Sequence, residues 1–284
     1  MKKALLVGIN KYKMPGADLN GCCNDVMGMS NLLTDVFSFP KENIHMLLDY
    51  DASKEAILSE LSWLTECNEG DWLVFHFSGH GSQVPDTSGD EIDKLDEVLC
   101  PSDMDWNGNY ILDDDLGRIF STLKGKKVQA NVVLDCCFSG TGTRTLEALA
   151  FLPVQRRWFP RFLPPPVDLL LSVNYDTPIR KLLSRSSGPG IHKSKKLLSN
   201  FPTQLPYAVF SACQENQTSA DAYLSGNFFG AFTFFFTRAL RQDPKAPRLD
   251  LIKRVRKDLI TNEFEQRPFL DCKRSLRMTS FFNE

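Results

Sequence analysis

QANVVLDCCFSG, residues 129–140, is an apolar run that ends in an aspartate, two cysteines and a turn-forming Ser-Gly. A short run without polar alternation is the pattern of a strand buried on both faces, as in a parallel sheet covered by helices. Ligands bind to such sheets beyond the carboxyl ends of the strands, so Cys136 and Cys137 fall where chemistry is done. What flanks this run decides both the sheet and whether a thiol is a nucleophile.

Comparable apolar runs recur at KALLVGIN (3–10), ENIHMLLD (42–49), DWLVFHFSGHG (71–81) and YAVFSACQ (207–214). Between them, LNGCCNDVMGMSNLLTDVF (19–37), SKEAILSELSWLTEC (53–67) and DDDLGRIFSTL (113–123) space their apolar residues as helices do, and Ser53 is placed to cap the second. FFGAFTFFFTRALRQ (228–242) and LDLIKRVRKDLITNEF (249–264) read as two further helices, and PFLDCKRSLRMTSFF (268–282) as a final edge strand. Strand alternating with helix predicts an α/β fold, a mostly parallel central sheet with helices on both faces. Residues 146–205, rich in Pro, Ser and basic side chains, interrupt the pattern and read as a connector between segments 1–145 and 206–284 of one domain.

Bulk chemistry narrows the class. The 284 residues carry a formal net charge of -2, so no global field attracts nucleic acid. No apolar stretch is long enough to span a bilayer. The N-terminus runs directly into a strand, and the eight cysteines lack the pairwise spacing of a zinc site. Reduced thiols in a cytoplasmic protein are the expectation.

Two of the predicted parallel strands end in reactive groups: His80 after DWLVFHFSG, and the cysteine pair after NVVLD. If those strands are neighbours, an imidazole faces a thiol, the minimum for a cysteine nucleophile. The N–H groups of Gly81 and Cys137 could then serve a developing oxyanion.

These residues match a known family. FSGHG and DCCFSG, with KALLVGIN, NGCCND, GDEIDKLDEVLCPSDM, SACQENQTSADA and GAFTFFFTRAL in the same order, resemble the metacaspase branch of the caspase-like cysteine peptidases. The resemblance covers nearly the whole chain outside the connector. It implies a caspase-like fold, with His80 as catalytic histidine and Cys137 as nucleophile, Cys136 being the inert neighbour. One departure is Phe138, where metacaspases often carry His. It implies an Arg/Lys-accepting pocket from Asp25 and Asp135, lined by Cys22 and Ser78, so the expected partners are peptides or proteins cut after Arg or Lys. A regulatory calcium ion is implied at Asp96, Asp113 and Asp114, and no organic cofactor. A monomer is expected rather than a dimer.

The connector carries Arg156, Arg157, Arg161, Arg180, Lys181, Arg185, Lys193, Lys195 and Lys196, which makes self-cleavage an expectation for an Arg/Lys peptidase. As isolated features these residues read as a solvated loop, and His76 as a buried structural histidine. Two other classes compete. An inactive caspase-like module would keep the motifs and act by binding partners in signalling or cell death. A nucleotide-binding protein would need a glycine-rich phosphate loop after the first strand, and no such motif is present.

Overall fold

Aliphatic residues on both faces of the leading strands require cover on both sides, and helices supply it. The computed structural model describes residues 1–86, 95–138, 158–171, 207–214 and 217–283. In chain order the first elements are β1 (Lys2–Gly8), α1 (Cys22–Phe37), β2 (Ile44–Leu48), α2 (Lys54–Thr65), β3 (Trp72–Ser78), β4 (Gly81–Pro85), β5 (Leu95–Leu99), β6 (Ile111–Leu112) and α3 (Asp113–Ser121). Then come β7 (Gln129–Asp135), β8 (Trp158–Pro160), α4 (Val167–Leu171), β9 (Tyr207–Ser211), β10 (Ala220–Leu224), β11 (Asn227–Gly230), α5 (Ala231–Gln242), α6 (Arg248–Thr261) and β12 (Phe269–Asp271).

The main sheet has the order β12-β9-β7-β3-β1-β2. Its pairs are parallel except β12, which joins β9 antiparallel at the edge. β1, β3 and β7 are buried from their second residue to their last. Successive side chains go to opposite faces. Leu5, Val7, Phe75 and Phe77 pack with Ile57, Leu61 and Leu64 of α2 and with Leu116 and Phe120 of α3. Ala4, Leu6 and Val74 pack with α1, α5 and α6 through Met29, Leu33, Phe232, Phe236 and Val255. The Ser53 hydroxyl accepts from the Ala56 N–H at 3.2 Å, capping α2 as expected. Among the described residues no helix is long and apolar enough to cross a membrane.

Two smaller sheets differ from the sequence reading. β4-β5-β6 forms an antiparallel sheet on either side of the acidic loop, whose residues 87–94 lie outside the described ones. β11-β10-β8 forms the second. Phe228–Gly230, read as the start of a helix, belongs to the strand Asn227–Gly230, and helix begins only at Ala231. Gly230 occupies the N-cap with extended backbone, so the change of period occurs there.

Candidate active site

β3 and β7 are neighbours in register, with Ser78 opposite Asp135, and both chains run on past the sheet edge together. That places His80 and Cys137 beside one another's strand ends. Cys136 joins one hydrophobic core cluster, while Cys137, equally buried, belongs to neither.

His80 is 5% exposed. Its backbone N–H donates to the Tyr12 hydroxyl at 2.8 Å, and the two rings lie 5.1 Å apart. Its Nε2 lies 2.8 Å from the Ala17 carbonyl oxygen. A carbonyl only accepts, so Nε2 carries the proton and the lone pair of the neutral ring is on Nδ1. That Nδ1 is buried and has no hydrogen-bond partner among the described residues. Burial lowers the His80 pKa to about 4, so the ring is neutral at pH 7 and able to take a proton.

The Cys137 sulfur accepts from the Ser219 N–H and, at 3.3 Å, from the Cys213 thiol. That bond to Cys137, then burial, pushes the Cys213 thiol well above its ordinary pKa, so Cys213 remains a protonated donor. The N–H groups of Gly81 and Cys137 both donate, at 3.1 Å, to one acceptor: the carbonyl oxygen of Arg161. A Cβ at Gly81 would overlap the Cys137 carbonyl, so the close approach there requires glycine.

Arg161 comes from the connector. The solvated-loop reading is wrong for it, since the side chain is fully buried, its charge met by three carboxylates. Nη2 donates to Asp25 at 2.8 Å and to Asp221 at 3.0 Å. Nη1 donates to the Ser78 hydroxyl at 2.8 Å and lies 3.3 Å from a carboxylate oxygen of Asp135. Desolvation opposes the guanidinium charge, and the carboxylates of Asp135, Asp25 and Asp221 outweigh it, holding the pKa well above its ordinary value. Each carboxylate is fixed in turn. Asp25 accepts from the Ser78 hydroxyl at 2.7 Å and from the Gly230 N–H. Asp135 accepts from the Thr233 N–H at 2.9 Å, the Thr233 hydroxyl at 2.7 Å and the Ser219 hydroxyl. Asp221 accepts from the N–H groups of Asn20 and Gly21 at 2.8 and 2.9 Å. The buried Cys22 thiol lines the same space and interacts with Ser78. Three buried carboxylates around one cation leave an excess of negative charge. Burial first, and the Asp135 charge against the relief given by Arg161, push the Asp25 pKa up to about 7.

The structure thus brings Asp25, Asp135, Cys22 and Ser78 together as one pocket next to Gly81 and Cys137. Cys213, which reads from the sequence as a packed thiol at the pocket's border, adjoins it, and Ser219 and Asp221, which escaped the sequence reading, complete it. Their only signal was position within the SACQENQTSADA motif. His76 is buried as expected, with Nδ1 3.2 Å from the Val133 carbonyl oxygen. The other basic residues named as cleavage candidates lie outside the described residues.

The three expected metal ligands lie on neighbouring elements, Asp96 in β5 and Asp113 and Asp114 in the first turn of α3. β5 pairs with β6 through Val98–Leu112, and α3 follows β6 directly. Asp96 and Asp113 are largely buried. Carboxylates are the hard donors calcium takes. Among the described residues no three metal-ligating side chains form one group, so a calcium site here would need further oxygens.

Comparison with known proteins gives consistent findings. The family model "Metacaspase, peptidase C14 domain" matches residues 2–145. Metacaspase-1A of Aspergillus oryzae is 30% identical, over 97% of this chain and 68% of that relative. Metacaspase-1 of Ajellomyces capsulatus is 31% identical, over 97% of this chain and 80% of its own. Among solved structures, a protein of Geobacter sulfurreducens superposes with a TM-score of 0.64 at 21% identity, covering 98% of this chain and 97% of that one. Caspase-1 of Spodoptera frugiperda superposes with a TM-score of 0.57 at 12% identity, covering all of this chain and 90% of its own. The fold is caspase-like.

Proposed function

The chain belongs to the metacaspase family of cysteine peptidases, and from that premise we propose that it is an endopeptidase cutting after Arg or Lys with a Cys137–His80 dyad. His80 Nδ1 takes the thiol proton, the Cys137 sulfur attacks the peptide carbonyl, and the Gly81 and Cys137 N–H groups hold the oxyanion. His80 returns the proton to the leaving amine, and water then hydrolyses the thioester.

The observation that carries this reading is Arg161. Its guanidinium lies among Asp25, Asp135 and Asp221 while its carbonyl oxygen meets both oxyanion donors. A pocket that satisfies a buried Arg at that depth would leave an Asp side chain among three carboxylates, which argues against caspase-type specificity. Calcium acting through Asp96, Asp113 and Asp114, self-processing within the connector, and action as a monomer are further parts of the proposal. The eight cysteines are all free thiols, which supports a reducing compartment such as the cytoplasm.

The test is hydrolysis of matched fluorogenic peptides ending in Arg, Lys or Asp, with and without millimolar calcium. Turnover of Arg and Lys peptides, abolished in Cys137→Ala, is expected. Turnover of the Asp peptide would overturn the pocket assignment. Activity unaltered by calcium would remove the metal from the proposal. No turnover at all, with no labelling by an Arg chloromethyl ketone, would favour the interaction-module reading.

A further inference from the structure

We propose that Trp158–Leu163 is this enzyme's own first substrate, cut within the same molecule between Arg161 and Phe162. The inference rests on the peptidase reading above and goes beyond it by assigning the bond.

The backbone of the segment is held as a substrate must be. β8 pairs antiparallel with β10, Trp158 opposite Ala222 and Pro160 opposite Ala220, so it extends a sheet edge by one strand. The Arg161 N–H donates to the Ser219 carbonyl at 3.0 Å, and the Arg161 carbonyl accepts from Gly81 and Cys137. On the far side of the bond, the Leu163 N–H donates to the Gly81 carbonyl at 3.0 Å, and the Ser82 hydroxyl donates to the Leu163 carbonyl at 2.6 Å. Both flanks of the Arg161–Phe162 peptide are therefore fixed, with its carbonyl already on the oxyanion donors.

A structural role alone does not account for this. Arg248 is a comparably buried arginine, and among the described residues it is held by the carbonyl oxygens of Leu276, Thr279 and Phe281 and the Asn131 side chain, without a carboxylate. Its own backbone N–H donates to the Thr279 carbonyl. Arg161 instead combines a three-carboxylate pocket with a carbonyl placed on the backbone amide of a cysteine. Its two Nη atoms serve different partners, Asp25 and Asp221 on one side and Ser78 and Asp135 on the other. A lysine ammonium is a single point and cannot span both, so arginine is the preferred residue at this position.

The step balances with water as the only co-reactant. The Cys137 sulfur leaves Ser219 and Cys213 and bonds to the Arg161 carbonyl carbon, its proton passing to His80. The Arg161–Phe162 C–N bond breaks as His80 protonates the nitrogen of Phe162. Water then adds hydroxyl to the acyl carbon and a proton to sulfur, leaving a carboxylate on Arg161 and a new N-terminus at Phe162. Departure of the cut strand would free the β10 edge for a substrate in trans.

The experiment follows the full-length chain by intact mass and N-terminal sequencing, beside hydrolysis of an Arg peptide. A single new N-terminus at Phe162 is expected, absent in Cys137→Ala and formed at a rate unchanged over hundredfold dilution. Arg161→Gln should abolish the cut. Because that variant could misfold, Phe162→Pro serves as the second: it keeps Arg161 and should slow the cut at least hundredfold. Self-cleavage of Arg161→Lys should be at least tenfold slower than wild type. A wild type that hydrolyses the Arg peptide yet stays whole, is cut at another basic residue, or is cut at a rate rising with concentration overturns this proposal and leaves the peptidase standing. Hydrolysis of neither substrate overturns both.

Discussion

Asp25 holds the Arg161 guanidinium and carries a pKa raised to about 7, so under the proposed function the recognition of a cation turns on it. A raised carboxyl is neutral below that pH and anionic above it, so affinity for a guanidinium falls as pH drops through about 7. Arg161 lowers the Asp25 pKa while seated, and its departure moves the transition upward rather than downward. His80, lowered to about 4, loses its basicity only in stronger acid. The expected profile of kcat/KM for an Arg peptide therefore has an acid limb at or above pH 7, set by the pocket and not by the base. Asp25→Asn should remove that limb and reduce kcat/KM at pH 8 by about a hundredfold or more, since breaking a buried pair costs roughly 3–5 kcal/mol. A limb that survives unchanged in Asp25→Asn would assign it elsewhere. His80 and Cys137 were legible as candidates from their places at the ends of two apolar strands, and Asp25 and Asp135 from the resemblance of their motifs to those of metacaspases. Asp221 was not, and Arg161 stood only as one of nine basic connector residues open to self-cleavage, with no sign of its burial. Neither stands in a local pattern that marks it as buried, and only the three-dimensional convergence of β10 with the connector gives them a role.

At the scale of elements, the N-terminus of α5 matters most to the site. Its Thr233 supplies both a backbone N–H and a hydroxyl to Asp135, and Gly230 just before the helix supplies an N–H to Asp25. Thr233→Val keeps the shape and the backbone bond and removes the hydroxyl, a donor to a buried charged group. That is expected to cost about 1.5–3 kcal/mol of stability, read as a lower denaturation midpoint at unchanged m-value. A variant as stable as wild type would mean that another donor reaches Asp135. The long parallel strands and the helices of the main layer were readable because six buried residues in a row, or an apolar stripe every third or fourth residue, have one interpretation. β4, β6, β8 and β11 were not, being two to five residues long and, in β4 and β8, ending in proline. β8 in particular has no periodicity of its own, because it is a strand only by virtue of lying on β10.

For the molecule as a whole, a cut after Arg161 divides a sheet that is not divided in space. The main sheet takes β1, β2, β3 and β7 from before the cut and β9 and β12 from after it. β7 and β9 are joined by five parallel residue pairs, from Ala130–Tyr207 to Leu134–Ser211, and β9 is buried throughout. The C-terminal Phe281 and Phe282 close the same core from the other end, Phe281 against Phe37 and Phe282 stacked 4.6 Å from Trp72. Arg248 donates to Asn131 across the same division. Burial on this scale, at about 25 cal/mol per Å² of apolar surface, greatly exceeds what one peptide bond contributes to holding the pieces together. Residues 1–161 and 162–284 are therefore expected to remain one body after cleavage, eluting as a single species near the 32.2 kDa of the intact chain and separating only in denaturant. Cut protein that resolves into two pieces under native conditions would mean that the connector, and not the shared sheet, holds the halves in register; an active site built from His80 and Cys137 on one piece and Ser219 and Asp221 on the other would then be lost with the first turnover.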